Sequence, residues 1–482
     1  MDLGAESGRV VVGRFDGDRL RLDDVRRFPN EPVAAADALR WDVRRLFADL
    51  LDGARAAGEV DAIGIDTWGV DFGLLDRAGR LLGSPVHYRD RRTAGMLAEA
   101  TRRVPAPEIY ARTGVQLLEI NTIYQLLAMR LAGDPLLEAA GRLLVMPALL
   151  TYWLCGSQAC EATGASTTGC YDLRGGGWAL DLLDRLGIPG HIFGEVVPPG
   201  TELGPALPSL GLGSVRVVAT AGHDTASAVA AVPFEPGRTS AYVSSGTWSL
   251  VGLELPAPVV GPASLAANLT NEAGAAGRVR LLRNVMGLWL LQECRRAWAR
   301  AGREWSYDDL LALAEAAPPL GPLVDPDDAR FLRPGDLPAA IAAACVESGQ
   351  EPVADPGAVA RCVLESLALR YRWALDRLES AAGARIEVVH VVGGGVRNRL
   401  LCQMTADATG RPVVAGPVEA TAAGNALVQA LALSLVGSLE EGRELVRRSF
   451  RLDRYEPRGG EAWQGAWARF QRLVDRGSRP GG

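Results

Sequence analysis

Lysine is absent from the 482 residues of this sequence, so its 51 basic residues are all arginine. This absence excludes a nucleotide site of the Walker type, in which a lysine contacts the terminal phosphates. A phosphate-binding site in this chain has to use backbone N–H groups, arginine side chains or a metal ion instead.

Cysteine is scarce, and membrane-directed features are missing. The seven cysteines are scattered and form no C-x-x-C pair, which argues against a disulfide framework and against structural zinc. We expect Cys345 and Cys362 to be free buried thiols. The sequence shows no basic-then-apolar leader and no apolar run long enough to cross a bilayer. The net charge of -6 argues against a nucleic-acid surface or a polybasic membrane patch. We therefore expect a cytoplasmic protein, with a monomer favoured over an oligomer.

The chain is too long for one compact core, and two domains are expected. Two strand–glycine turn–strand patterns, at residues 2–12 and 239–253, each begin a half of comparable length. Their repetition predicts a duplicated α/β fold with domains at residues 1–232 and 233–482 and a cleft between them.

The sequence opens abruptly. Met1 is followed at once by Asp2-Leu3-Gly4, which reads as the end of a strand. We expect that the first half of this strand is missing, as it would be if a start codon were assigned too late.

Residues 215–232 predict the element around which a site is built. An apolar, β-branched strand breaks at Gly222 and continues as an alanine-rich helix, with His223, Asp224 and Thr225 at the junction. A carboxylate in this place can accept a proton from a substrate hydroxyl. The alternative is that Asp224 or Thr225 only caps the helix. Taken alone, this stretch favours the helix cap over the general base. The rest of the chain makes the general base the preferred interpretation.

Three glycine-bearing turns are candidates for holding a nucleotide. The turns at residues 4–9 and 245–247 can direct backbone N–H groups at phosphate oxygens. Residues 393–395 follow an apolar strand and precede a helix, which allows close approach to a base or ribose. Asp2 is placed to hold a hydrated Mg²⁺, which takes few carboxylate ligands. A solvated strand end is an equally weighted alternative for Asp2.

Over nearly the full chain, the residues and the order of several motifs resemble those of the FGGY family of carbohydrate kinases. The matching stretches include DLGAESGR (2–9), IGIDTWGVDF (63–72), GHDTASA (222–228), YVSSGTWSLVG (242–252), RNVMGLWLLQECRR (283–296), VVGGGVRN (391–398) and AGPVEATAAGNA (415–426). The resemblance implies an α/β, two-domain actin-like ATPase (ribonuclease H-like) fold. Trp68 and residues 284–296 point to the branch of the family that acts on L-rhamnulose.

This resemblance implies transfer of the γ-phosphate of ATP, with Mg²⁺, to the 1-hydroxyl of L-rhamnulose in L-rhamnose catabolism. Asp224 is then expected to be the general base, with Asp2 at the metal. The expected sugar contacts are Gly69, His223, Asp224, Thr225 and Asn284. The expected ATP contacts are Ala5, Glu6, Ser7, Gly8, Arg9, Thr247, Gln292 and Gly394. On a helix, residues 284, 288 and 292 would share one face.

Two other functions remain open at this point. Another ketose kinase of the same family, acting on L-fuculose or D-xylulose, would keep the chemistry and change only the sugar pocket. A non-catalytic, actin-like sugar or nucleotide sensor would have no need for Asp224. Substitution of Asp224 and a panel of sugars separate these functions.

Overall fold

The computed structural model describes residues 1–35, 38–458 and 460–477. Its strands, numbered in chain order, are β1 (Asp2–Leu3), β2 (Ser7–Phe15), β3 (Leu20–Pro29), β4 (Val33–Ala35), β5 (Ala38–Arg40), β6 (Ala62–Ile63), β7 (Asp66–Thr67), β8 (Phe72–Leu75), β9 (Arg142–Val145), β10 (Cys160–Glu161), β11 (Tyr171–Asp172), β12 (Gly177–Trp178), β13 (Val196–Val197), β14 (Thr201–Pro205), β15 (Arg216–Ala219), β16 (Ser240–Ser245), β17 (Trp248–Leu255), β18 (Thr270–Ala273), β19 (Val279–Met286), β20 (Val388–Val392), β21 (Val413–Ala415) and β22 (Asp453–Tyr455).

The α-helices, also in chain order, are α1 (Val43–Ala57), α2 (Met96–Arg103), α3 (Ala106–Thr113), α4 (Thr122–Ala132), α5 (Pro135–Ala139), α6 (Met146–Cys155), α7 (Ala162–Ala165), α8 (Leu180–Arg185), α9 (Asp224–Ala230), α10 (Pro262–Ala266), α11 (Trp289–Arg300), α12 (Tyr307–Ala316), α13 (Leu337–Glu347), α14 (Pro356–Ala382), α15 (Arg399–Thr409), α16 (Ala420–Ala432), α17 (Leu439–Ser449) and α18 (Gly460–Gly477). Short 3₁₀ turns lie at Arg91–Thr93, Gly190–Ile192, Pro208–Leu210, Ala275–Gly277, Ala329–Phe331 and Gly394–Arg397.

The chain forms two compact units. The first unit consists of Met1–Pro233, Glu254–Leu282 and Glu419–Phe450, and the second of Phe234–Leu253, Arg283–Val418 and Arg451–Gly482. The first unit thus includes two segments that follow residue 232 in the chain. The predicted domain boundary after residue 232 remains a prediction. One of these segments carries α16, which packs so closely on α9 that a Cβ on Gly424 would lie 1.7 Å from the Ser227 carbonyl oxygen.

The first unit is built on a sheet in the order β3-β2-β1-β7, in which β1 is antiparallel to β2 and parallel to β7. Strands β2 and β3 form an antiparallel hairpin around Asp16 and Gly17, a dipeptide typical of such turns. Helix α1 begins after Asp42, whose side chain accepts the Arg45 N–H at 3.2 Å. A Cβ on Gly53 of α1 would lie 2.4 Å from Val10, so glycine lets the helix approach β2.

The second unit contains strands in the order β17-β16-β20-β21-β22, with β16 antiparallel to β17 and parallel to β20. All five residues of β20 are buried, as expected of a parallel strand covered on both faces. In both units, an antiparallel hairpin is joined at one edge by a parallel strand: β7 beside β1, and β20 beside β16. The prediction of a two-domain α/β fold with repeated halves is confirmed, and the interdomain cleft stays a prediction.

The prediction that residues 284, 288 and 292 share a helical face is wrong. Asn284 lies on strand β19, and α11 begins only at Trp289. Between them, a Cβ on Gly287 would lie 2.6 Å from the Trp248 carbonyl carbon. Strand β19 stays extended through Asn284 to Met286, so strand conformation replaces the helical turn that the spacing suggests.

The seven cysteines are all free, and six of them are buried. Within the described residues, no helix is long and apolar enough to cross a membrane.

Candidate active site

The predicted strand–break–helix element is confirmed as β15 and α9, with Asp224 at the first position of the helix. His223 occupies the N-cap position, but its side chain makes no capping hydrogen bond. The Thr67 N–H donates to the Gly222 carbonyl oxygen at 2.9 Å, and Thr67 forms a parallel bridge with His223. The end of β7 therefore brings Gly69, two residues further on, into the region of His223 and Asp224.

Asp224 has the surroundings of a proton acceptor. Its side chain is 29% exposed, and its Oδ1 lies 3.5 Å from Nε2 of His223. The Thr225 hydroxyl donates to the same Oδ1 at 3.1 Å. Desolvation raises the pKa of Asp224, and the charge of Asp2 adds to this effect while His223 opposes it. A carboxylate with a raised pKa holds a proton more strongly, which suits a general base.

Glu161 and Thr163 hold the backbone just before Asp224, a role that sequence reasoning missed. Buried Glu161 accepts the Gly222 N–H at 2.8 Å and the Thr163 N–H at 2.7 Å. The Thr163 hydroxyl donates to Glu161 at 2.5 Å and accepts the His223 N–H at 3.0 Å. Desolvation raises the pKa of Glu161. The one signal in the sequence is an acidic residue within the short segment that starts α7.

A second buried group contacts the ring of His223. Glu272 and Arg280 face each other across β18 and β19, with Arg280 Nη2 lying 2.9 Å from Glu272 Oε2. His223 Nδ1 lies 3.3 Å from that oxygen and 3.2 Å from Arg280 Nη2. Desolvation acts to raise the pKa of Glu272, but the charge of Arg280, together with His223, holds it below its usual value. Sequence reasoning missed both residues.

The backbone is strained at Val70, directly after Gly69. Val70, a β-branched residue, has φ 64°, a conformation that such residues rarely adopt. Its N–H donates to the Thr167 hydroxyl at 3.2 Å, and its carbonyl oxygen accepts from the Thr122 hydroxyl at 2.6 Å. Strain of this kind persists where neighbouring groups fix it and is frequent at ligand sites.

Next in the chain, Asp71 joins two buried tryptophans. Its Oδ2 accepts the indole N–H of Trp41 at 2.6 Å and that of Trp68 at 3.0 Å. The ring centroids of the two indoles are 4.2 Å apart. Desolvation raises the pKa of Asp71 to about 6, although these hydrogen bonds act to lower it. The arrangement fixes Trp68 immediately before Gly69.

Asp2 forms an ion pair with the guanidinium of Arg9. Arg9, its partner across β1 and β2, places Nε 2.8 Å and Nη2 2.7 Å from Asp2 Oδ2, and Nη1 also contacts Glu419. Asp66 pairs with Asp2 in the parallel ladder and accepts from Asn425 at 2.5 Å. Its Oδ1 is buried without a hydrogen-bond partner among the described residues.

No group of three or more histidine, cysteine, aspartate or glutamate side chains in the described parts of the chain is arranged to hold a metal ion. The donor set around Asp2 therefore fits only a cation whose other ligands are water or phosphate oxygens, as is usual for Mg²⁺.

The first glycine turn lies between β1 and β2 and carries the predicted ATP contacts Ala5, Glu6, Ser7 and Gly8. The Gly4 N–H closes it on the Ser7 carbonyl oxygen at 2.9 Å, and the Ser7 residue is exposed. Gly8 is buried, and a Cβ there would lie 2.3 Å from Phe28. Close packing is thus sufficient to explain this glycine.

Four predicted site residues belong to the second unit: Thr247, Asn284, Gln292 and Gly394. Three of them, Thr247, Gln292 and Gly394, lie on elements that pack around the turn at residues 245–247. The Leu288 N–H donates to the Gly246 carbonyl oxygen at 2.9 Å, and the Trp289 N–H to that of Thr247 at 3.1 Å, so α11 starts against this turn. Gln292 lies on α11, with a buried Oε1 that has no hydrogen-bond partner among the described residues.

The glycine turn at residues 393–395 packs on the same segment. A Cβ on Gly395 would lie 2.0 Å from Ser245 Oγ, whereas exposed Gly394 has no atom within 4 Å of such a Cβ. Asn284 lies on the part of β19 that belongs to the second unit, while the other four predicted sugar contacts lie on the first.

Comparison with known families matches both halves of the chain. Residues 42–231 match the N-terminal domain, and residues 241–433 the C-terminal domain, of the FGGY family of carbohydrate kinases. Rhamnulokinase of Bacteroides thetaiotaomicron is 42% identical over 482 residues, with 98% of each chain covered. Rhamnulokinase of Pectobacterium carotovorum is 43% identical over 492 residues, covering 100% of this chain and 97% of the relative.

Solved structures share the fold at lower identity. A ligand-bound xylulose kinase of Lactobacillus acidophilus superposes with a TM-score of 0.79 at 18% identity, covering 99% of this chain and 97% of its own. Glycerol kinase of Plasmodium falciparum with ADP has a TM-score of 0.76 at 16% identity, with the same coverage. From its two matching domains and its full-length relatives, the chain belongs to the FGGY family of carbohydrate kinases and is a sugar kinase.

Proposed function

We propose that this sugar kinase transfers the γ-phosphate of ATP to the 1-hydroxyl of L-rhamnulose, giving L-rhamnulose 1-phosphate and ADP. The choice of sugar is supported by the two full-length relatives named rhamnulokinase. It is also supported by Trp68, one of the residues that the resemblance links to the branch acting on L-rhamnulose. Asp71 accepts the indole N–H of Trp68 and so fixes its ring beside Gly69.

The observation that carries the proposal is the place of Asp224 at the first turn of α9. Its partly exposed carboxylate takes the proton of the sugar hydroxyl as the bond between that oxygen and the γ-phosphorus forms and the bond to the β-phosphate oxygen breaks. Phosphoryl transfer depends mainly on positioning and charge neutralisation. The hydrogen bonds of Glu161 and Thr163 to the Gly222 and His223 N–H groups hold the base in position.

Charge neutralisation at the phosphates falls to turns and to a cation. The turn at residues 4–8, in which Ser7 is exposed, offers backbone N–H groups. Mg²⁺, when bound, would neutralise phosphate charge. Asp2, whose contacts from Arg9 both end on Oδ2, would help to hold the hydrated cation.

A coupled ADP-release assay with Mg-ATP tests the choice of sugar. L-rhamnulose is compared with L-fuculose, D-xylulose and glycerol, and we expect turnover to be highest with L-rhamnulose, because a mismatched hydroxyl costs a site orders of magnitude in kcat/KM. Higher turnover with another ketose would overturn the choice of L-rhamnulose while leaving the chemistry in place.

Substitution of the base tests the mechanism in the same assay. Asp224→Asn is expected to abolish turnover while sparing sugar and ATP binding measured by calorimetry. Asp16→Asn, in an exposed turn, is the matched control and should behave as the parent. Comparable turnover in Asp224→Asn would remove Asp224 from the role of base. Absence of turnover with every sugar tested would favour a non-catalytic sensor.

A further inference from the structure

The ion pair of Glu272 and Arg280 lies against His223 in the interior of the first unit, and the proposed reaction gives it no task. Arg280 is 0% exposed and Glu272 is 4% exposed. In addition to this ion pair, a hydrogen bond from Arg280 Nε to the Ala273 carbonyl oxygen at 3.0 Å fixes the guanidinium along its own hairpin. Burying two charges is costly even when they are paired, so the pair calls for an explanation beyond stability.

The contacts of Arg280 decide which ring nitrogen of His223 carries the proton. A guanidinium remains charged and can only donate hydrogen bonds. Arg280 Nη2 lies 3.2 Å from His223 Nδ1, so Nδ1 is the acceptor, and a neutral imidazole then carries its proton on Nε2. Glu272 also lies close to Nδ1 and would favour the opposite tautomer. However, its Oε2 is nearer to Arg280, at 2.9 Å compared with 3.3 Å to the ring.

This tautomer matters for the carboxylate of Asp224. Nε2 of His223 lies 3.5 Å from Asp224 Oδ1, a long contact of the kind that tightens when substrate binds. The Thr225 hydroxyl donates to the same oxygen. Two donors directed at Oδ1 leave Oδ2 as the atom that receives the substrate proton. The opposite tautomer would instead direct the Nε2 lone pair at a negative oxygen and repel the carboxylate.

We propose that Arg280, held by its counter-ion Glu272, is a positioning residue that fixes the Nε2–H tautomer of His223 and thereby selects Oδ2 of Asp224 as the proton acceptor. The role of Asp224 in this proposal rests on the proposed function. The tautomer is a property of the unliganded chain and is measured without any substrate.

The ring proton is read by two-bond ¹⁵N–¹H NMR of protein labelled with ¹⁵N-histidine. The chain has four histidines, and the signal of His223 is assigned by its loss in His223→Gln. At neutral pH we expect a pyrrole-type signal for Nε2 and a pyridine-type signal for Nδ1. A proton on Nδ1, donated to Glu272, would overturn the proposal.

Variants link the tautomer to turnover. In Arg280→Met, Glu272 becomes the sole partner of Nδ1 among the residues that the structure describes. The ring proton should then move to Nδ1, and kcat should fall by about 10- to 100-fold, by more than KM for the sugar changes. Arg280→Lys keeps a charged donor and should restore the Nε2–H signal and most of the turnover. Arg278→Met, which removes only an exposed ion pair with Glu440, is the matched control.

The outcomes separate the possible failures. A folded Arg280→Met protein that retains the Nε2–H signal or full turnover would overturn the positioning role. If this variant does not fold, the parent spectrum and Arg280→Lys decide. If the parent protein has no L-rhamnulose-dependent activity, the proposed function fails while the tautomer assignment stands on its own spectrum.

Discussion

Removal of the Glu161 carboxylate is the sharpest test of how the base is positioned. In Glu161→Ala, the N–H groups of Gly222 and Thr163, which donate to Glu161 at 2.8 and 2.7 Å, lose their acceptor inside the protein. A buried donor without a partner costs about 1–3 kcal/mol. Relief of the desolvated carboxylate offsets part of this loss. We expect local stability around Gly222 to fall by about 2–4 kcal/mol, toward the lower end of the summed cost.

Hydrogen exchange measures this loss directly, because it reports local opening free energies. A loss of about 2–4 kcal/mol corresponds to exchange about 30- to 1,000-fold faster in peptides covering residues 215–232. Turnover with L-rhamnulose should fall with it, since a displacement of about 1 Å costs about 100-fold in rate. Glu138→Ala, which removes a carboxylate with 68% exposure from a surface pair with Arg130, is the control. Exchange within threefold of the parent, with unchanged turnover, would refute the positioning argument.

Three further predictions concern other parts of the chain. Burial raises the pKa of Asp71 to about 6 in the folded chain, compared with about 3.9 in the unfolded chain. The stability that the protonated carboxyl contributes is therefore complete below pH ~4 and is lost as the pH rises through ~6, by about 3 kcal/mol. Asp71→Asn should flatten this dependence of the melting temperature on pH, and a profile parallel to that of the parent would contradict the prediction. In Arg370→Met, Asp327 loses a guanidinium that now donates to it at 2.6 and 2.9 Å, and it keeps the longer ion pair with Arg283 at 3.4 Å. Calorimetric unfolding of the second unit should therefore show a loss of about 3 kcal/mol, the lower end of the cost of breaking a buried pair. A loss below ~1 kcal/mol would indicate a surface-like pair. Gly395→Ala places a Cβ 2.0 Å from a serine hydroxyl and should raise KM for ATP, while Gly394→Ala, which meets no atom, should raise it less; equal effects would exclude packing as the cause.

The sequence determined those parts of the protein that depend on neighbouring residues. Asp16 and Gly17 form the turn between β2 and β3, and Asp42 caps α1, because turn and cap chemistry act over two to four residues. The junction at Gly222 and Asp224 is predictable for the same reason, since a run of β-branched residues followed by alanines changes its preferred backbone at a glycine. These local signals locate the junction along the chain, whereas the role of Asp224 as the base follows only from the resemblance of the full chain to the family.

Only the tertiary structure decided what surrounds that base. Glu161, Glu272 and Arg280 lie 63, 48 and 56 positions from Asp224 in the sequence, and no periodicity relates a carboxylate on one strand to an amide or a ring on another element. The spacing of Asn284 to later residues fits a helical turn, yet the structure places it in strand β19, beyond the pairing with β18 that ends at Leu282. Long-range hydrogen bonds, strand pairing and desolvation depend on which helices and strands pack together. That packing is determined by burial of the whole hydrophobic core and not by any one stretch of the chain.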